Sequence, residues 1–124
     1  MSDNTFRTDG TIDTFPNDYQ DRDYEIEFVA EEFTSVCPMT GQPDFGTITV
    51  RYVPGERWIE LRSFKFYLFG FRNQGVFYES VVNRIRDDIV SAIAPRRVTV
   101  IGSFRARGGI TARVTAAYDG TTGA

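Results

Sequence analysis

The sequence contains no histidine and a single cysteine, Cys37. The lack of histidine excludes Cys-His nucleophile pairs, histidine general bases and histidine-ligated metal sites. One thiol cannot close an internal disulfide or build a thiolate cage for zinc. We therefore expect no bound metal, and any catalysis must use carboxylates, the lone thiol, phenols or cations.

Long hydrophobic runs and a strong excess of one charge are also missing. The apolar stretches are short and interrupted by charged residues, which argues against a signal peptide and a membrane-spanning helix. The 14 basic and 17 acidic residues give a net charge of -3, so we expect no broad positive surface for a nucleic-acid backbone. These features predict a cytoplasmic protein that binds neither membranes nor nucleic acid directly.

The 124 residues fit one domain around a single core. Residues 1 to 24 are polar with scattered aromatic residues, which predicts an extended or partly ordered N-terminal arm, and residues 119 to 124 predict a frayed C-terminal tail. Residues 25 to 118 hold a compact pattern with no internal repeat or linker. This central part is predicted to be one domain.

Hydrophobic periodicity predicts an α+β fold. Alternation over residues 24 to 33 and 47 to 53 is typical of strands, and apolar side chains recur at helical spacing from Val76 to Ile93, before Pro95. We expect an extended start and a short helix in the aromatic segment around SFKFYLF, then strands over residues 97 to 104 and 111 to 118 joined by a turn in RARGGI. This order predicts a four-stranded antiparallel sheet with helices on one face.

The only cysteine lies between turn-forming residues, in SVCPMTGQPDFG at residues 35 to 46. This composition predicts a loop, whereas a structural cysteine would normally lie within an apolar run. Because a loop between neighbouring strands folds back on itself, Cys37 and Asp44 can face each other as nucleophile and proton donor. The residues alone leave open that Cys37 is incidental and Asp44 an ordinary turn aspartate.

Other polar side chains also have two interpretations. Arg62 and Lys65 are either the polar face of the aromatic segment or ligands of phosphate groups. Glu79 falls in the first turn of the longer predicted helix, where the helix dipole alone favours a carboxylate.

Three segments together carry a resemblance more specific than these features: FTSVCPMTGQPDFGTI, ELRSFKFYLFGFRNQGVFYE and FRARGGI. They resemble the short, single-domain form of the NADPH-dependent 7-cyano-7-deazaguanine reductases, the nitrile reductases of queuosine biosynthesis. The resemblance covers most of residues 25 to 118, in the family's order and spacing, and ELRSFKFY resembles the family's cofactor motif. It implies that Cys37 forms a thioimide with the nitrile, that Asp44 supplies the proton, and that NADPH then reduces the adduct to the primary amine.

The resemblance also implies which residues bind the ligands. The Glu79 carboxylate would accept two parallel N-H donors of the guanine-like edge, with Tyr78 and Ser63 also contacting the substrate. The residues implied in cofactor binding are Arg62, Ser63, Lys65 and Arg107.

The chain departs from the family's usual pattern at two of these positions. Arg62 stands where the family usually has lysine. The change keeps the positive charge but replaces a compact ammonium group by a planar guanidinium group with several donors. Tyr78 stands where the family usually has a histidine followed by glutamate, and a phenol stays neutral at about pH 7.

For the fold, the resemblance implies the tunnelling fold, in which four-stranded sheets of several subunits join into a barrel with helices outside. The short form assembles as two stacked pentameric rings, a decamer with sites between subunits. Glu79 would then come from the chain adjacent to the one that supplies Cys37.

The same residues bear on three alternatives from other classes of protein. A zinc cyclohydrolase of this fold would need histidine and further thiolate ligands, which the chain lacks. An amidinotransferase relative that acts on a nitrile-bearing tRNA would use the same Cys37 and Asp44 but would not need ELRSFKFY. A non-catalytic purine-binding or redox-sensing module is the third interpretation, because Tyr78 replaces the family's histidine.

Overall fold

The computed structural model describes residues 10 to 122. The elements, in chain order, are β1 (Thr14–Pro16), β2 (Ile26–Val36), β3 (Pro43–Val53), β4 (Arg57–Ile59), α1 (Leu61–Phe69), α2 (Tyr78–Ile93), β5 (Arg97–Arg107), β6 (Ile110–Asp119) and a 3-10 turn (Gly120–Thr122). The predicted α+β order is therefore confirmed. None of the helices within these residues has the length and apolar character that crossing a bilayer requires.

The four long strands form one antiparallel sheet in the order β2-β3-β5-β6. In β3, Ile48, Val50 and Tyr52 are buried, whereas the residues between them are partly or fully exposed. This period of two gives the sheet one apolar face. Helix α2 packs on β5 and β6, and α1 contacts β2, so the helices cover that face as predicted.

The packing of α2 fixes where its first turn meets the sheet. Its buried residues, which recur at the helical period, are Val81, Val82, Ile85, Ile89 and Ile93. Gly102 on β5 permits this close approach, because a Cβ at that position would lie 2.6 Å from Cγ2 of Val82 and 2.8 Å from the ring of Phe104. The start of α2 is thereby held against the middle of β5.

The two helices begin differently. The Glu60 carboxylate caps α1 by accepting hydrogen bonds from the N-H groups of Arg62, at 2.9 Å, and Ser63, at 2.8 Å. Helix α2 begins after Phe77 without a side-chain cap, and its first turn carries Glu79. A carboxylate there interacts favourably with the positive end of the helix.

Part of the predicted N-terminal arm forms ordered structure. Strand β1 pairs with β4 in a small antiparallel sheet. The Asp13 N-H donates to Oγ of Ser63 at 2.8 Å, and the Asp13 carbonyl accepts from the N-H of Glu60 at 2.8 Å. Residues 1 to 9 of the arm and residues 123 and 124 of the tail lie outside the described residues, so the boundaries at residues 24 and 119 stay predictions.

Candidate active site

The loop that carries Cys37 is shorter than the sequence predicted. Strands β2 and β3 stay paired as far as Val36 and Pro43, so the loop comprises only residues 37 to 42. The Cys37 N-H donates to the Gln42 carbonyl at 2.9 Å, and the Gly41 N-H donates to the Cys37 carbonyl at 2.8 Å. Gly41 has a φ of 72°, which glycine adopts without strain.

Asp44 therefore lies on a strand, and the prediction of a loop over residues 35 to 46 was wrong. The physical reason is that backbone pairing continues through Pro43, whose missing N-H removes only one donor from the ladder.

The loop activates the thiol of Cys37, which is partly buried. Hydrogen bonds from the Thr40 side chain, and then from the backbone of Met39 and of Thr40, lower the pKa of Cys37 below its ordinary value. Burial and the charge of Asp44 act in the opposite direction but are weaker. The Thr40 hydroxyl accepts the Gln42 N-H at 3.2 Å, which leaves its own hydrogen for the sulfur. These hydrogen bonds therefore ease the loss of the thiol proton.

Asp44 is 4% exposed and has two donors on one oxygen. Its Oδ1 accepts from the Tyr78 hydroxyl at 3.0 Å and lies 2.6 Å from Nη2 of Arg107. Arg107 also donates to the carbonyl of Pro43 at 3.1 Å. A buried carboxylate needs such partners, and these two donors make Asp44 an acceptor in the free protein.

Tyr78 is fixed by stacking as well as by its hydrogen bond to Asp44. Its ring lies on that of Phe104 with centroids 4.0 Å apart and an angle of 7° between the planes. Burial first, and then the hydrogen bond to Asp44 and the charge of that residue, raise the pKa of the Tyr78 phenol, while Arg107 opposes this rise. The phenol is therefore a neutral donor to Asp44.

The structure thus joins Asp44, Tyr78 and Arg107 by direct contacts, and Cys37 is near enough for the charge of Asp44 to act on its pKa. We call these four residues the thiol-carboxylate cluster. Glu79 follows Tyr78 in the first turn of α2 and has an exposed side chain, available to a ligand. The position of Arg107 against Asp44 was not expected, since the sequence interpretation grouped it with the cations of α1.

The other predicted residues lie on α1. Arg62 and Lys65 have exposed side chains. Ser63 is 3% exposed, and its hydroxyl accepts from the Asp13 N-H and donates to the Glu60 carbonyl, both at 2.8 Å. The Ser63 hydroxyl is therefore engaged within the chain, and its contact with a ligand stays a prediction.

A groove of about 770 Å³ lies between α1 and β2. Two cations line its helix side: the ammonium nitrogen of Lys65 lies 5.8 Å, and the guanidinium carbon of Arg72 5.2 Å, from the ring centroid of Phe69. Phe69 is 46% exposed. Ligand pockets typically measure roughly 300 to 1,000 Å³, and cations beside an aromatic face suit a phosphorylated heterocycle. The opposite wall carries Glu27, Glu31 and Glu32.

Sequence reasoning missed Thr40, Phe104 and Arg72. Thr40 carries a usable signal, because a hydroxyl three residues after a cysteine in a turn can bond within that turn. Phe104 depends on a tertiary contact with Tyr78 that no local pattern reports, and the place of Arg72 in a groove depends on how α1 packs near β2. Within residues 10 to 122, no three Cys, Asp or Glu side chains gather in an arrangement that suits a metal ion.

Known proteins resemble this chain in sequence over most of its length. The profile of the family described as QueF-like protein matches residues 43 to 122. Several curated relatives are named NADPH-dependent 7-cyano-7-deazaguanine reductase. The relative of Chlorobaculum tepidum is 60% identical, and the match covers 86% of this chain and 92% of the relative. The relative of an Anaeromyxobacter species is 59% identical, and the match covers 86% of this chain and 88% of the relative. That of Chlorobium chlorochromatii is 55% identical and covers 86% and 92%.

Among solved structures, the archaeosine synthase QueF-Like in the apo form matches with a TM-score of 0.67 at 20% identity, over 77% of this chain and 91% of that one. At this identity the likeness concerns the fold alone, and it confirms the expected tunnelling-fold subunit. The profile match over more than half of the chain and the identity of the curated relatives show that the chain belongs to the QueF-like protein family.

Proposed function

We propose that this chain reduces the nitrile of 7-cyano-7-deazaguanine to the primary amine, 7-aminomethyl-7-deazaguanine, with NADPH. The names of relatives that are 55% and 60% identical support this substrate and cofactor. The observation in this chain that carries the proposal is an activated thiol, Cys37, beside a buried carboxylate, Asp44, on the two sides of one short loop.

The first step is covalent addition. The Cys37 sulfur bonds to the nitrile carbon as its S-H bond breaks, and Asp44 accepts the thiol proton and passes it to the nitrile nitrogen. The product is a thioimide on Cys37, and Asp44 is again a carboxylate. Addition converts an unreactive triple bond into a C=N group that accepts hydride.

NADPH, when bound, supplies one hydride to the thioimide carbon and a second to the imine that remains after the Cys37 sulfur leaves. The thiol proton provides the first N-H, a solvent proton returns the departing thiolate to the thiol, and a second solvent proton completes the amine, so the nitrile gains two hydrides and two protons overall. The tasks of this chain are to hold the carbon near the sulfur and to move protons through Asp44.

The cofactor fits the cationic side of the groove along α1. Lys65 and Arg72 would contact its phosphates, with Arg62 at the first turn of the helix, and the exposed ring of Phe69 offers a stacking surface. Arg107 pairs with Asp44 in the free protein, and its contact with the cofactor is a further part of the proposal.

The substrate would be held at the start of α2. Glu79 is exposed in the first turn of α2, so its carboxylate can hold the guanine-like ring, in the proposed assembly at a site shared with Cys37 of the adjacent subunit. A carboxylate that accepts two parallel N-H donors discriminates strongly among purine-like rings.

We further propose that the chain assembles as a cytoplasmic decamer of two pentameric rings. Strands β2 and β6 lie at the two ends of the sheet. Edge strands carry unpaired backbone groups that pair readily with another chain. Native mass spectrometry should therefore give a mass ten times that of the chain, and a monomer would contradict the barrel.

The test of the reaction begins without NADPH. The protein mixed with 7-cyano-7-deazaguanine should gain the mass of one substrate per occupied site, on the peptide that contains Cys37, and Cys37→Ala should gain none. With NADPH, two cofactors should be oxidised per amine formed. An adduct that resists NADPH but is released by ammonia indicates an amidinotransferase, and reversible binding without an adduct indicates a purine-binding module; either result would overturn the proposed function.

A further inference from the structure

Ser35 is a buried polar residue that the described fold leaves unexplained. Its exposed fraction is 0%, and its Oγ has no hydrogen-bond partner among residues 10 to 122. Burying a hydroxyl without a partner costs free energy, and native structures hold few such groups. The structure therefore retains a destabilising group at this position.

The position of Ser35 relates it to the thiol-carboxylate cluster. Ser35 on β2 is the direct register partner of Asp44 on β3. Side chains at such paired positions lie on the same face with Cβ atoms about 4.5 to 5.5 Å apart. Cys37 follows two residues after Ser35. The unpartnered hydroxyl is thus next to the carboxylate that is proposed to move the proton.

Arg107 is the partner of Asp44 that an entering ligand can remove. Oδ1 of Asp44 already accepts from Tyr78 and Arg107. The Arg107 side chain is 45% exposed, so it can leave for a phosphate group of an entering ligand, whereas Ser35 is enclosed and cannot be replaced by solvent. A serine hydroxyl reaches different partners by rotation about one bond.

We propose that Ser35 is a positioning residue whose hydroxyl donates to Asp44 after ligand entry has drawn Arg107 away. The hydrogen bond holds the carboxylate while it passes the Cys37 proton to the nitrile nitrogen. This role rests on the proposed function, since it concerns the same proton transfer.

Ser35→Ala tests this role, with adduct formation in the absence of NADPH followed by rapid quenching and mass spectrometry. Losing an unpartnered hydroxyl should leave the melting temperature unchanged or higher. The rate of adduct formation should nevertheless fall roughly 10-fold to 100-fold, because the carboxylate is less well placed, and the dissociation constant of the substrate should stay unchanged. Ser103→Ala, a partly buried serine paired with Thr47 on β5 and β3, is the matched control and should match the parent in both measurements.

The two measurements separate the possible outcomes. A Ser35→Ala rate within about twofold of the parent overturns the role of Ser35 alone. A lower melting temperature together with a slower rate also overturns it, because the hydroxyl would then serve the free fold. A parent protein that forms no adduct overturns the proposed function, and the role of Ser35 with it.

Discussion

Arg107 holds a guanidinium nitrogen 2.6 Å from Oδ1 of Asp44, although the two residues lie on different strands, β5 and β3. This pairing keeps a 4% exposed carboxylate accompanied by a cation in the free protein. In the proposed reaction, Asp44 therefore starts as an acceptor and receives its proton from the Cys37 thiol.

Asp44→Asn should lower the turnover number by roughly 10²-fold to 10⁴-fold, because an amide can neither accept the thiol proton nor deliver it. NADPH oxidation in the presence of the nitrile measures this. Asp87→Asn, whose side chain is 63% exposed and pairs with Arg86, is the matched control and should behave as the parent. Near-parental turnover of Asp44→Asn would exclude the carboxylate from the proton transfer.

Thr40→Val should raise the pKa of the Cys37 thiol toward its ordinary value of 9.0, because the largest stabilising hydrogen bond is lost. Alkylation by iodoacetamide, followed against pH, should show a midpoint below 9.0 in the parent and a higher midpoint in the variant. Thr47→Val, on β3, should leave the midpoint unchanged. Equal midpoints for the parent and Thr40→Val would contradict the activation of the thiol by the loop.

The same shift predicts a sign for the pH dependence of stability. Because the pKa of Cys37 is lower in the folded than in the unfolded chain, the thiolate stabilises the fold at pH values above the unfolded pKa, and this contribution disappears as the pH falls through the folded pKa. Thr40→Val should weaken this dependence, which denaturant unfolding at several pH values measures.

Glu79→Ala should weaken substrate binding by about 2 to 5 kcal/mol, because a charged partner of two ligand N-H groups is removed. Calorimetry in a Cys37→Ala background avoids covalent capture and measures this affinity. Glu56→Ala, an exposed carboxylate in the turn before β4, is the control. Unchanged affinity would assign recognition to another residue.

Arg62→Ala and Lys65→Ala should raise KM for NADPH and leave the affinity for the nitrile nearly unchanged, since each removes a cation from the proposed phosphate contacts. Arg22→Ala, whose side chain is 62% exposed and pairs with Asp21, is the control. Equal loss of affinity for both ligands would indicate that the cations support the fold of α1.

Gly102→Ala should lower the free energy of unfolding by about 1 to 3 kcal/mol through overpacking. Its Cβ would lie 2.6 Å from Cγ2 of Val82, inside the contact between α2 and β5. Urea unfolding measures the change, with Ser103→Ala as a control on the same strand. A stability equal to that of the parent would show that α2 can shift away from β5.

The sequence predicted those elements that depend on interactions between residues close together in the chain, such as a helix and a tight turn. Helix α2 was expected from its apolar period, and it begins at Tyr78 and ends at Ile93, beside Pro95. The turn in RARGGI contains Gly108 and Gly109, which have φ values of 59° and 81°, as a tight hairpin requires.

What the sequence did not predict depends on contacts between distant residues. The Arg107 to Asp44 pair and the Tyr78 to Phe104 stack join elements whose register no local period specifies. The burial of Asp44 was also not predicted, since turn-forming neighbours indicated a loop, whereas the pairing of β2 with β3 carries this carboxylate into a buried position.

The two hydrogen bonds between Asp13 and the start of α1, to Glu60 and Ser63, make it possible to measure how often this contact opens. The Glu60 N-H donates to the Asp13 carbonyl while the Asp13 N-H donates to Ser63, so the amide protons of Asp13 and Glu60 are both shielded by the same contact. Both should exchange with deuterated solvent at a common rate, set by detachment of β1 from β4 rather than by global unfolding. Exchange at these two amides would therefore read out, without any attached label, how often the first turn of α1 is uncovered and whether NADPH slows that opening.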